Sequence, residues 1–77
     1  MSETSPLNQD EVFMARAIEL AKKAEAIDEV PVGAVIVLDG IIIGEGYNQS
    51  ITLHDPSAHA EMIALREAAV NVAITEY

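Results

Sequence analysis

Apolar side chains recur at alternating spacings of four and three residues along the first third of the chain. The residues of this stripe are Phe13, Ala17, Leu20, Ala24 and Ile27, widened by Met14, Ile18 and Ala21. Such spacing places one apolar face along a helix. It predicts a helix over residues 9–26 with Asn8 as its N-cap. Pro31 is expected to close this segment, because proline forces the residue before it into extended geometry.

Two β-rich stretches follow, separated by a two-residue turn signal. Residues 32–38 form a nearly continuous apolar run, which is typical of a strand covered on both faces. The Asp-Gly pair at positions 39–40 accepts the positive φ angles of a tight hairpin turn, so residues 41–47 are predicted to return as the second strand. Gly44 and Gly46 share one face of this strand, where they mark either a bulge or a close approach of another group to the backbone.

A second helical repeat fills the last third of the chain. Residues 55–57, Asp-Pro-Ser, are predicted to open this helix, since proline is favoured in a first turn and Asp or Ser can cap it. Its buried face is predicted to consist of the residues at four-three spacing, namely Ala58, Met62, Leu65, Ala69 and Val72. The order helix, hairpin, helix indicates an α/β fold. Because a lone hairpin between two helices is not a closed core, a further strand of the same sheet is expected after the second helix.

Composition and charge narrow the class of protein. The chain has 77 residues, of which 51% are hydrophobic, and no cysteine, so we expect one globular domain without disulfides. Thirteen acidic residues against four basic ones give a net charge of −9. Because a nucleic-acid surface needs clustered cations, any such surface is expected to lie outside this chain. No signal peptide or membrane-spanning stretch is visible, which favours a soluble cytoplasmic protein without membrane contact.

His59 and Glu61 are the residues best suited to chemistry. A histidine nitrogen can ligate zinc, and a nearby carboxylate that does not ligate can move protons to and from a zinc-bound water. At a helix start both side chains project off the helix end and can approach a common point, whereas in mid-helix they would face nearly opposite ways. Alone, the His-x-Glu pattern is weak, and a surface histidine with a structural role is the alternative.

Three linked motifs resemble the N-terminal half of bacterial tRNA adenosine deaminases, which belong to the cytidine deaminase-like superfamily. The motifs are residues 30–35, residues 44–48 and residues 54–66, and they match in order and spacing. The resemblance implies a truncated cytidine deaminase-like three-layer α/β/α fold, with residues 1–77 as the incomplete N-terminal part of a CMP/dCMP-type deaminase domain. It implies zinc-dependent hydrolytic deamination of adenosine to inosine at the tRNA wobble position as the function.

The same resemblance implies roles for individual residues. His59 is similar to the zinc-ligating histidine of the family, and Glu61 is similar to the catalytic glutamate that carries a proton from the water to the base. Asn48 is similar to the asparagine that hydrogen-bonds the flipped nucleotide, with a strand-ending turn residue as the alternative. Val32 is similar to a residue of the substrate-binding pocket wall, with an ordinary core valine as the alternative.

The chain departs from the family pattern at its cysteines. The family's Pro-Cys-x-x-Cys motif has no counterpart here, so His59 would be one of three protein ligands of zinc and the chain alone is expected to be inactive. Positions 73–75 read Ala-Ile-Thr where the family reads Ala-Asn-Tyr, so a frameshift is a further hypothesis. The family also implies tRNA as a partner and a homodimer. The alternatives are a non-catalytic fragment or gene remnant, a cytosine- or guanine-type deaminase fragment, and an unrelated α/β binding module.

Overall fold

The fold is a helix, a β-hairpin and a second helix. The computed structural model describes residues 6–76, with side chains described over residues 9–72. The elements are α1 (Pro6–Ala26), β1 (Gly33–Leu38), β2 (Ile41–Tyr47) and α2 (Ala60–Glu76). Both strands pair antiparallel in a two-stranded sheet. The predicted order of elements is confirmed.

Helix α1 begins earlier than predicted. Its first residue is Pro6, whose fixed φ suits a first helical turn, so Asn8 lies inside the helix and is not its N-cap. The side chain of Asn8 lies outside the described residues. The centre of the predicted apolar stripe is confirmed, because Leu20 and Ala24 are buried, whereas Met14 on its margin is 62% exposed.

The turn after α1 has the hydrogen bonds of a Schellman motif. Asp28 has a φ of +62°, and its N–H donates to the carbonyl oxygen of Glu25 at 3.0 Å. The N–H of Glu29 donates to the carbonyl oxygen of Ala24 at 2.9 Å. These bonds satisfy carbonyl groups that the helix end leaves free, so the helix ends at Ala26 before Pro31 is reached.

The hairpin turn lies where the sequence predicts it. Asp39 and Gly40 have φ angles of +53° and +77°, which are the positive values that a tight two-residue turn requires. The strand register shifts between Ile36 and Val37, whose partners are Gly44 and Ile42. Ile43 is therefore the extra residue of a β-bulge. This confirms the first interpretation of the glycine pair, a bulge, next to Gly44.

The two helices lie on opposite faces of the hairpin. A Cβ atom at Gly33 would lie 2.6 Å from the backbone nitrogen of Ala21 in α1. A Cβ atom at Gly46 would lie 2.8 Å from the backbone nitrogen of Ala64 in α2. Gly46 pairs with Ala34, the neighbour of Gly33, and adjacent residues of a strand face opposite ways. The three-layer α/β/α arrangement is thereby confirmed.

Of the predicted buried face, Ala58 is buried directly before the helix start, but α2 itself buries a different face from the predicted one. Ala60, Ala64 and Ala68 are buried, whereas Met62 and Leu65 are 38% and 49% exposed. The reason lies in β2, because Gly44 and Gly46 bring its backbone so close to the helix that only alanine fits between them. The second interpretation of the glycine pair, a close approach of another group to the strand backbone, is therefore confirmed as well. The buried apolar residues are Leu20, Ala24, Ala58, Ala60, Ala64 and Ala68.

Polar side chains tie the helices to β2. Arg16 of α1 makes a two-pronged ion pair with Glu45, donating from Nε and Nη2 at 2.7 and 2.8 Å. This hydrogen bonding lowers the pKa of Glu45 and raises the pKa of Arg16. From α2, the Glu67 carboxylate accepts the N–H of Glu45 at 2.8 Å, and the Asn71 amide donates to the carbonyl oxygen of Ile43 at 2.6 Å. Two backbone groups on the outer edge of β2 are thus bonded by side chains of α2.

Large apolar side chains remain on the surface. Examples are Val12, Met14, Ile41 and Ile51, each more than 60% exposed. Within the described part of the chain, no large side chain is fully buried. Neither α1 nor α2, over the residues described, combines the length and apolar character needed to cross a bilayer.

Candidate active site

The segment between β2 and α2, residues 48–59, is a compact loop that we call the site loop. Its base is closed by the N–H of Gln49, which donates to the carbonyl oxygen of Ala58 at 2.9 Å. Internal turns are held by the N–H groups of Leu53 and Asp55, which donate to the carbonyl oxygens of Gln49 and Ser50 at 2.9 and 3.0 Å. The loop therefore brings its two ends together by its own backbone.

Residues 55–57 form a turn of this loop and do not begin the helix, so that part of the sequence prediction is wrong. One carboxylate oxygen of Asp55 accepts the N–H of Ser57 at 2.9 Å and its hydroxyl at 2.8 Å. These bonds lower the pKa of Asp55, the hydroxyl contributing most. Arg66 of α2 donates to the Ser57 hydroxyl oxygen at 3.2 Å. Since Asp55 satisfies these donors locally, the helix starts later, at Ala60.

Asn48 caps helix α2 from the end of β2. Its side-chain oxygen accepts the N–H of Ala60 at 2.7 Å, and its own N–H donates to the carbonyl oxygen of Val32 at 3.2 Å. The residue is 8% exposed, and within the described residues no buried side-chain nitrogen or oxygen lacks a partner. The amide nitrogen, to which no described residue hydrogen-bonds, therefore keeps contact with solvent. This capping role differs from both roles that the sequence predicts for Asn48, the binding of a nucleotide and the ending of a strand.

His59 and Glu61 lie at the beginning of α2, as predicted. His59 directly precedes the first helical residue, and its carbonyl oxygen accepts the N–H of Ile63 at 3.0 Å, which places it at the N-cap position. Glu61 lies in the first turn, and both side chains are exposed. The roles of the two side chains and their approach to a common point stay predictions.

Val32 lies beside the site loop, directly before β1. Its carbonyl oxygen accepts the N–H of Asn48, and its side chain is 40% exposed. Val32 is therefore not a core valine of the described structure, and its side chain is accessible next to Asn48. Its part in a substrate pocket stays a prediction.

The described residues do not by themselves fit a zinc site. A zinc ion takes four ligands, of which at least three come from the protein in deaminase-type catalytic sites. Within the described residues, no group of three or more His, Cys, Asp or Glu side chains is close enough to hold a metal ion. His59 supplies one nitrogen, and the sequence has no cysteine. A zinc site that uses His59 needs its other ligands from outside the residues that the structure describes.

Glu29 is a residue of this region that the sequence did not single out. It is 6% exposed, and one carboxylate oxygen accepts the N–H of Thr52 at 2.6 Å and its hydroxyl at 2.9 Å. An acidic residue in a turn between a helix and a strand is normally solvated, so composition gives no signal of burial. Only its position, directly before the motif at residues 30–35, places it near the site.

Comparison with known proteins gives a consistent family. The sequence profile described as "Cytidine and deoxycytidylate deaminase zinc-binding region" matches residues 7–76. A tRNA-specific adenosine deaminase of Haemophilus influenzae is 61% identical over 64 residues, which are 82% of this chain and 37% of that protein. The chain thus spans well under half the length of this curated relative.

Solved structures agree with the sequence comparison. One comes from a study of A-to-I editing by tRNA:A34 deaminases at the wobble position of transfer RNA, with a TM-score of 0.81 and 40% identity. The alignment covers 84% of this chain and 50% of that one. Guanine deaminase from Bacillus subtilis has a TM-score of 0.76 and 45% identity, covering 82% of this chain and 41% of its own.

Sequence and fold lead to one assignment. The profile match covers nearly the whole chain, and both solved structures have high identity as well as the same arrangement of helices and strands. The chain belongs to the cytidine and deoxycytidylate deaminase family, within its zinc-binding region.

Proposed function

We propose that this chain supplies the histidine and glutamate half of the active site of a tRNA adenosine deaminase. Residues 1–77 would be the N-terminal, incomplete part of a CMP/dCMP-type deaminase domain. The observation that carries the proposal is the joint placement of His59 and Glu61 at the exposed start of α2, beside Asn48. The 61% identity to the Haemophilus influenzae enzyme favours adenosine in tRNA as the substrate over guanine.

Each of these residues has a role that its surroundings permit. Glu61 is an exposed carboxylate, so it can accept a proton from the attacking water and donate one to the departing amine. The amide nitrogen of Asn48 can donate to acceptor atoms of a bound base, because the amide oxygen is already engaged by Ala60. Val32 would form part of the pocket wall beside Asn48. His59 would be one zinc ligand among others that this chain does not hold.

The chain by itself is proposed to be inactive. One histidine does not hold zinc tightly, so no deamination is expected from the 77-residue chain with added zinc. With a net charge of −9 it is also poorly suited to bind tRNA phosphates, which must contact residues outside it. A homodimer, as the family resemblance implies, is part of this proposal.

A chimera tests the function directly. Residues 1–72 of this chain would be joined to the remainder of the Haemophilus influenzae relative, and inosine formation in tRNA would be measured. The E61Q variant is expected to lower the rate about 100- to 10,000-fold, the usual contribution of a positioned acid-base group. The E25Q variant, which changes an exposed carboxylate on α1, is the matched control and should keep the rate. A folded chimera that deaminates guanine and leaves tRNA unchanged would contradict the choice of substrate.

Substitutions of Asn48 separate its two roles. N48D keeps an oxygen acceptor for the N–H of Ala60 but removes the amide donors, so stability should hold while KM for tRNA rises. N48A leaves a buried N–H unpaired and should lower the free energy of unfolding by about 2 kcal/mol. Thermal melts and steady-state kinetics of the chimera measure both quantities. An unchanged KM in N48D would show that Asn48 is a cap only.

A further inference from the structure

Glu29 is a buried acid that lies outside the proposed catalytic set. Its side chain reaches from the turn after α1 to the middle of the site loop, across 23 positions of sequence. One oxygen accepts both the N–H and the hydroxyl of Thr52, at 2.6 and 2.9 Å. A carboxylate that is 6% exposed needs such donors, since an unpaired buried charge is strongly unfavourable.

The backbone that carries Glu29 is itself fixed. Its N–H is held by the carbonyl oxygen of Ala24 in the Schellman motif, and Ala24 is fully buried. The carboxylate thus projects from the rigid end of α1. Thr52, by contrast, lies in a loop whose other hydrogen bonds run mainly within residues 48–59.

The loop is attached to the segment before β1 at two points. Val32 accepts the N–H of Asn48 at the start of the loop, and Glu29 accepts two hydrogen bonds from Thr52 at its middle. Asn48 in turn holds the N–H of Ala60, directly after His59. Movement of the loop away from Glu29 would therefore strain the residues at both of its ends.

We propose that Glu29 is a positioning residue that anchors the site loop through Thr52 and thereby holds Asn48 and His59 in place. The roles of Asn48 and His59 in this statement rest on the proposed function. Without the anchor the loop opens while the helices and the hairpin persist. Because Ile51 and Leu53 on either side of Thr52 are 68% and 54% exposed, their side chains add little apolar burial to hold the loop closed.

Amide hydrogen exchange of the 77-residue chain tests the anchor without tRNA, zinc or deamination. In E29A, exchange at Thr52 and its loop neighbours should become at least about tenfold faster, as expected for lost hydrogen bonds to a charged group. The side-chain amide signals of Asn48 should shift in the same variant. E29Q keeps an acceptor and should be intermediate. E25A removes an exposed acid from the same helix end and should leave the loop unchanged.

Variants at Thr52 test the same anchor, with a smaller expected effect on hydrogen exchange. T52V removes the hydroxyl but keeps the N–H, so loop exchange should be a few-fold faster, whereas T52S should behave as the unsubstituted chain. Equal acceleration in the loop, α1 and the hairpin would mean a global stabilising role and would overturn the proposal. Unchanged loop exchange in E29A would overturn it too, as would a lack of protection throughout the unsubstituted chain. An inactive chimera would contradict the proposed function, whereas hydrogen exchange would still decide whether Glu29 anchors the site loop.

Discussion

The two strands of the hairpin have contrasting outer edges. On β2, the N–H of Glu45 and the carbonyl oxygen of Ile43 are bonded by Glu67 and Asn71 of α2. On β1, Val35 lies opposite Glu45, so its backbone groups also point away from the partner strand. No described residue bonds to those groups of Val35. The outer edge of β2 is therefore partly covered by side chains of α2, whereas the edge of β1 at Val35 is open to a further strand, so the sheet can extend on the side of β1.

The largest expected effect comes from breaking the seam between β2 and α2. A Cβ atom at Gly44 would meet the carbonyl oxygen of Ala64 and lie 2.9 Å from the backbone nitrogen of Ala68. Since helix backbone cannot yield as a side chain does, G44A should lower the free energy of unfolding by about 3 kcal/mol. Urea unfolding followed by circular dichroism measures it.

A substitution in the turn is the control for this seam. Gly40 has open space around its Cβ position, and asparagine tolerates its φ of +77°, so G40N should change stability little. If G44A were as stable as G40N, α2 would not be packed against β2 as described, and its side chains would not cover the edge of β2.

A smaller effect should follow from uncovering part of the outer edge of β2. E67A leaves the N–H of Glu45 to water and should lower stability by about 0.5–1 kcal/mol. It should also promote self-association, because an uncovered strand edge can pair with another chain. E67Q retains an oxygen that can accept the same N–H and serves as the matched control. Sedimentation of both variants at several concentrations measures this difference, and identical behaviour of E67A and E67Q would mean that Glu67 does not protect the edge of β2.

The smallest effect concerns pH. The hydrogen bonds from Arg16 lower the pKa of Glu45 in the folded chain below its ordinary value of 4.5. Between the two values the unfolded chain binds more protons, so stability rises with pH there. This contribution is complete above about pH 4.5 and is lost as the pH falls through the lowered pKa. Denaturant midpoints measured from pH 6 to 3 should fall less steeply in E45Q; equal slopes would mean that the ion pair contributes nothing.

Sequence pattern was sufficient for the elements but not for the packing face of α2. Four-three periodicity located both helices, and the Asp-Gly pair located the turn. The same periodicity favoured Met62 and Leu65 as core, because it ranks residues by hydrophobicity. The structure instead selects Ala64 and Ala68, because glycines on β2 leave room for nothing larger. The periodicity of a helix contains no information about the surface against which it packs, here strand β2.

In the candidate site, too, local features can be predicted from the sequence and long-range contacts cannot. The His-x-Glu motif and the turn residues before it predict His59 and Glu61 near a helix start, since both signals are local in sequence, although the first helical residue is Ala60 and does not lie within residues 55–57 as predicted. The capping bond of Asn48 and the burial of Glu29 depend on contacts 12 and 23 positions apart, which no local pattern contains. Long-range hydrogen bonds of this kind become visible only once the chain is folded.

The absence of side chains at Gly44 and Gly46 has a mechanical consequence. The backbone of β2 packs directly against the backbone of α2 there, and no side chain of β2 lies between them that could change its rotamer to accommodate a shift. Helix α2 and strand β2 should therefore move together, and the first turn of the helix, from Ala60 onward, should keep its place relative to the sheet, whereas His59 before it also depends on the site loop. Replacing the exposed Met62 or Leu65 would then alter solubility or assembly before it displaced the helix.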